Sequence, residues 1–136
     1  MLEKLVDTSI PLGLDSSTSR ANIDLLLGFF RLEIFFRHIA SGDMNLDERK
    51  YGERKKKESR LRWLADQLKT VPERTIVIGN AEKDLTGATR AGMRFIAIPN
   101  RYTKENDFSG ADATHASLQG LSVREIERIM ASTIPI

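Results

Sequence analysis

Four consecutive hydroxyls, Ser16, Ser17, Thr18 and Ser19, follow the apolar run "IPLGL" at residues 10–14. Where such a run is a strand and the next segment a helix, the hydroxyls and the helix N-terminal amides together form a cradle for an anion such as phosphate. The same residue types are also ordinary helix caps, and the sequence leaves that alternative open. A second group is Lys55, Lys56 and Lys57, at the head of an amphipathic stretch. An ammonium there can reach a phosphate as a point charge, or the run can simply be a solvated helix start. The third group is "IGNAEKD", where Asn80 and Asp84 follow the apolar run "TIVIG". An Asp in that place can help hold a hard cation such as Mg, which takes oxygen ligands. A capping Asn and a first-turn acid are the structural alternatives. His38 and His115 show no partner in the sequence and read as structural.

These groups need a scaffold that brings strand ends together. "IPLGL" predicts a strand, and the hydroxyl run predicts a helix from near Arg20 to about Arg31. "RHIAS" at 37–41 predicts the next strand, and "GDMNLDERKYGE" a polar connection. A helix is expected from about Arg54 to Lys69, with Leu61, Leu64, Ala65 and Leu68 on one stripe. "TIVIG" reads as a strand, "DLTGATRAGM" as a short helix closed by Gly92, and "RFIAIP" as a strand ended by Pro99. A weak strand over Ala113–His115 and a last helix from Ser122 to about Met130 complete the pattern. Alternation of this kind predicts an α/β fold: right-handed crossovers and a parallel sheet covered by helices on both faces. Ligands of such sheets bind beyond the carboxyl ends of the strands, where all three groups fall.

Bulk properties narrow the classes. The 136 residues, 40% hydrophobic and 29% charged, predict one globular domain spanning 1–136. A net charge of +2 is too small to single out a nucleic-acid or membrane field. Nucleic-acid binding through Arg49 to Arg62 is further disfavoured because no aromatics interleave with the charges. The chain has no Cys, which removes thiolate metal sites, disulfides and a Cys nucleophile. No run approaches the ~18 apolar residues of a spanning helix, so no membrane is expected and the cytoplasm is the expected compartment.

The order and spacing of the three groups resemble the haloacid dehalogenase superfamily, especially its phosphoglycolate-phosphatase-like and phosphoglucomutase-like branches. "IPLGLDSSTSRANIDLLL" looks like the family's second motif, whose hydroxyl, here Ser16, binds the transferring phosphoryl group. "FFRHIASGD" resembles the strand and turn that follow it. Counting back from "PER" at 72–74, the Lys of the third motif falls at or next to Lys55. "TIVIGNAEKDLTGATRAGMRFIAIPN" looks like the fourth motif with its helix and next strand, and "ADATHASLQGL" like the last segment. The resemblance extends from about Leu2 to Met130. It implies a Rossmann-type parallel sheet and Mg-dependent phosphoester hydrolysis.

Two departures qualify that implication. The fourth motif normally carries acids that hold Mg, whereas here Asn80 stands first and Asp84 alone keeps its charge. An amide oxygen is a poorer ligand for a cation that dehydrates reluctantly, so Mg binding is expected to be weak or absent. The family's first motif, a strand followed by a pair of Asp that supplies the nucleophile, has no counterpart in this sequence. The expectation is therefore a partial, truncated core without its central first strand, catalytically incompetent alone, that binds or self-assembles. The alternative is one part of a split or truncated hydrolase for which another polypeptide supplies the nucleophile. A missing central strand would leave two edges with unpaired backbone groups. Direct pairing, the N-terminal residues or a partner chain could close that gap. On the helix from Arg20, Ile23, Leu26, Leu27 and Phe30 form the expected core stripe, with Leu25, Phe29 and Leu32 opposite. Trp63 falls on the far side of its own helix. These second apolar faces predict a homodimer or larger assembly with Phe29 or Trp63 in the contact.

Overall fold

The computed structural model describes residues 10–131, which divide into two compact units, one through Thr70 and one from Val71 onward. In the first unit the elements are β1 (Gly13–Asp15), α1 (Arg20–Phe30), β2 (His38–Ala40), α2 (Glu48–Tyr51) and α3 (Lys57–Gln67), with a 3-10 turn at Glu33–Phe35. β1 and β2 pair in parallel, placing Gly13 opposite His38 and Asp15 opposite Ala40. A parallel pair needs a crossover, and α1 supplies it. The helix begins where Ser19 accepts the Asn22 amide through its hydroxyl at 3.2 Å. It ends where Arg31 turns left-handed at φ 54°, after which the Leu32 amide bonds back to the Leu27 carbonyl at 2.9 Å.

Only part of the expected face of α1 is covered. Ile23 and Leu27 are buried, whereas Leu26 and Phe30 are 55% and 61% exposed, so the expected four-residue core stripe shrinks to two. Leu32 lies beyond the left-handed cap and is half-buried, so the helical spacing no longer sets its direction. α3 packs on both strands through Leu61, Leu64 and Ala65. It starts at Lys57 rather than near Arg54, because the segment before it closes a turn through the Lys56 amide and Glu53 carbonyl. The expected polar connection contains a single helical turn, α2, capped by Asp47. Trp63 is half-buried and meets the His38 ring edge-on at 6.4 Å, so this His does have a partner.

The second unit contains β3 (Ile76–Gly79), α4 (Glu82–Arg90), β4 (Arg94–Ala97), β5 (Ala113–Thr114) and α5 (Val123–Ala131). Its strands form a parallel sheet in the order β3-β4-β5, with Ile76 opposite Arg94 and Ile96 opposite Ala113. Successive strand residues point to opposite faces, and Phe95, Ile96 and Ala97 are all buried, so the central strand is covered on both sides. Arg94 reaches the Met130 carbonyl at 3.3 Å, serving a terminal acceptor of α5. The fold is α/β, with short parallel sheets and helical crossovers, as the alternating pattern predicts. Among the described residues β1 and β3 each have a strand partner on one side only.

Candidate phosphate site

In the first unit the chain leaves β1 at Asp15 and makes the hydroxyl turn before entering α1. The Ser16 amide bonds the Ala40 carbonyl at 3.1 Å, which continues the ladder with β2 by one residue. The Ser16 hydroxyl accepts the Thr18 amide at 3.3 Å, so the turn is braced from within. A second brace comes from the "SGD" segment at 41–43. The Gly42 amide donates to the Thr18 carbonyl at 2.8 Å, and a Cβ on Gly42 would sit 2.0 Å from the Ser17 carbonyl oxygen. Only a residue without a side chain lets these two backbones lie this close.

The adjacent Asp43 accepts the Arg20 amide at 2.9 Å and the Ser41 hydroxyl at 2.8 Å. The Arg20 amide first, and the Ser41 hydroxyl second, hold the Asp43 carboxyl below its ordinary value. A carboxylate therefore already serves the first amide of α1. That donor is thereby occupied, and the hydroxyl turn has a negative neighbour.

Asp15 explains how the second group is positioned. Its carboxylate lies 2.6 Å from Arg60 Nε and 2.9 Å from Lys57 Nζ, with side-chain exposures of 5%, 4% and 22% for Asp15, Arg60 and Lys57. Arg60 also donates to the Arg54 carbonyl at 2.8 Å, which satisfies another of its donors. These contacts dock the start of α3 beside the end of β1, next to Ser16. The three lysines thus take different places. Lys57 is spent on Asp15, Lys56 is the residue before the helix, and Lys55 lines a shallow recess of about 280 Å³ with Glu48, Glu53 and Arg54. Lys55 and Lys56 are exposed, Ser17 is exposed and Ser16 is half-buried.

Sequence reasoning missed the Asp15, Lys57 and Arg60 cluster. Its available signal was Arg60, a charge next to Leu61 and four residues before Leu64 on the buried stripe, which requires a buried partner.

In the second unit, Asn80 and Asp84 are neighbours, but through the backbone. Asp84 Oδ2 accepts the Asn80 amide at 3.2 Å and the Ala81 amide at 3.1 Å, so it closes the N-terminus of α4. Gly79 permits this approach, since a Cβ there would lie 2.8 Å from Asp84 Cβ. As a magnesium set the pair is poor: one neutral amide and one carboxylate whose oxygen already accepts two amides. Among the described residues no group of three or more His, Asp or Glu side chains could hold a metal ion. No described helix is long and apolar enough to cross a membrane. His115, the other histidine, lies with Nε2 2.8 Å from Glu125 of α5.

The profile of haloacid dehalogenase-like hydrolases matches residues 1–98. Protein CbbY of Cereibacter sphaeroides is 32% identical over 120 residues, which are 83% of this chain and 49% of that protein. The crystal structure of CbbY from Rhodobacter sphaeroides in complex with phosphate superimposes with a TM-score of 0.80 at 27% identity, covering 93% of this chain and 55% of that one. The β-phosphoglucomutase of Clostridium difficile shares the fold, with a TM-score of 0.71 at 20% identity over 96% of this chain and 53% of that one. The chain thus spans about half the length of these relatives.

Proposed function

The chain belongs to the haloacid dehalogenase-like hydrolase family, and on that premise we propose that it is a phosphate-binding domain of phosphatase type that does not turn over phosphate esters alone. The observation that carries the binding half is the docking of α3 beside β1 by Asp15. It sets the Ser16 turn and the lysine-bearing helix start side by side. A phosphoryl oxygen would accept from the Ser16 and Ser17 hydroxyls, while Lys55 or Lys56 supplies positive charge. Ser16 can donate its hydroxyl proton outward because its oxygen is used internally only as an acceptor. The nearby Asp43 carboxylate keeps affinity low. The phosphate-bound CbbY structure supports an anion at a site of this family.

Incompetence alone rests on the carboxylates. Phosphoryl transfer needs an in-line nucleophile and neutralisation of the developing charge. Asp15, the acid next to the hydroxyl turn, is buried with both oxygens engaged by cations, so it cannot attack. Asn80 carries no charge and Asp84 caps a helix, so no step is assigned to a metal held by them. A second reading, favoured by the one-sided pairing of β3 among the described residues and the 39% exposure of Ile78 on it, is that another polypeptide completes this sheet and brings the nucleophile.

Titration with inorganic phosphate, followed by amide resonances, tests the binding. Shifts at Ser16 to Arg20 are expected at about millimolar concentration, the range of loose single-site binding. No shift there overturns it. The purified chain is expected to show no Mg-dependent hydrolysis of small phosphate esters. Turnover that survives repurification and disappears in Ser16→Ala would refute the incompetence.

A further inference from the structure

The apolar surface of α1 extends well beyond what its own unit covers. At about 100° per residue, Leu25, Phe29, Leu26 and Phe30 fill an arc of about 140° beside the buried Ile23 and Leu27. The only other residue in that arc is Asn22, and no charge interrupts it. Leu25, Leu26, Phe29 and Phe30 are 72%, 55%, 79% and 61% exposed, and Ile34 in the following turn is 80% exposed. A helix that is apolar around most of its circumference is normally buried on both sides.

We infer that this face is the contact between two copies of the chain. The side chains form two i, i+4 ridges, Leu25 with Phe29 and Leu26 with Phe30, separated by a groove. A ridge of an identical helix fits that groove in the commonest class of helix packing, with the axes crossing at about −50°. Such a contact is self-complementary under a two-fold axis. The exposed parts of the five side chains amount to about 500 Å² per copy; covered in full in both copies they give about 1,000 Å² in total, the lower bound for a biological interface. Phe29 and Phe30 already pack edge-on with centroids 5.1 Å apart, which gives the face a preformed aromatic centre. A lipid surface fits less well. A membrane-lying helix carries Lys and Arg along its polar flank. In α1 that flank has only Arg20, which is paired to Asp24 at 2.8 Å.

The test uses the whole chain. Light scattering at about 100 µM, roughly a hundredfold above a micromolar Kd, is expected to report twice the chain mass. Phe29→Glu and Leu25→Glu, both at exposed positions, are expected to return it to the single-chain mass while Trp63 fluorescence stays native. The chain has no Cys, so single introduced cysteines give a clean second readout. Under mild oxidation at least one of Leu25→Cys, Leu26→Cys and Phe29→Cys is expected to give a covalent dimer, whereas Lys50→Cys, on exposed α2, is not. A wild-type monomer at that concentration, a dimer indifferent to both Glu variants, or no cross-link at any of the three positions overturns the inference.

Discussion

Replacing Gly42 by Ala tests whether the hydroxyl turn is held by backbone apposition. The added Cβ would lie 2.0 Å from the Ser17 carbonyl oxygen and 2.8 Å from the Ser17 carbonyl carbon. Both are main-chain atoms, so relief requires the two segments to separate rather than a side chain to rotate. Overpacking of this kind costs about 1–3 kcal/mol. Separation also stretches the 2.8 Å bond from the Gly42 amide to the Thr18 carbonyl, a net loss of about 1 kcal/mol. The combined destabilisation is about 2–4 kcal/mol, which at a urea dependence of about 2 kcal/mol/M lowers the unfolding midpoint by about 1–2 M. The chain has one Trp, and Trp63 lies in the same unit, so its fluorescence reports the relevant transition. Phosphate-induced shifts of the Ser16 to Ser19 amides should be lost in parallel. A Gly42→Ala chain with both the wild-type midpoint and the wild-type phosphate response would show that the apposition does not hold the turn.

Asp15→Asn should destabilise the first unit by about 3–5 kcal/mol, because Arg60 would keep a buried charge without its counterion. Most of that loss should return in Asp15→Leu with Arg60→Met, as measured by Trp63 fluorescence in urea. Asp43 is held below its ordinary value of 3.8 in the folded chain by the Arg20 amide first. Its contribution is therefore present above the unfolded value and lost as pH falls through the folded one. Asp43→Asn should flatten the fall in stability on acidification below about pH 4, and an unchanged acid limb would count against the assignment. Gly79→Ala would place a Cβ 2.9 Å from Asp84 Oδ2 and 3.0 Å from the buried Phe95 ring. It should destabilise the second unit by about 1–3 kcal/mol and speed hydrogen exchange at Asn80 and Ala81, the amides that Asp84 caps.

The order of strands and helices was legible because it depends on local chemistry. Short apolar runs, capping hydroxyls and Gly92 at φ 79° act within a few residues of themselves, and "TIVIG", "RFIAIP" and the helix from Arg20 fall close to where their patterns place them. The hydroxyl turn was legible for the same reason, since its position between strand and helix is a property of adjacent residues. Its bracing was not. Gly42 meets Ser17 across a crossover of more than twenty residues, and nothing in either segment marks the other as its neighbour.

The same distance hid the docking of α3. Asp15 and Arg60 are 45 positions apart, and the sequence shows only that each is a charge in an apolar setting. Tertiary packing decided which one answers the other, and by doing so it took Lys57 from the expected phosphate cluster. It also decided how much of α1 is core. Periodicity shows which side chains share a face, but the width of the opposing surface determines how many are covered. Here Ile23 and Leu27 are covered, while Leu26 and Phe30 stay in water. A helical repeat is set by the chain's own geometry, whereas burial depends on atoms that folding brings from elsewhere.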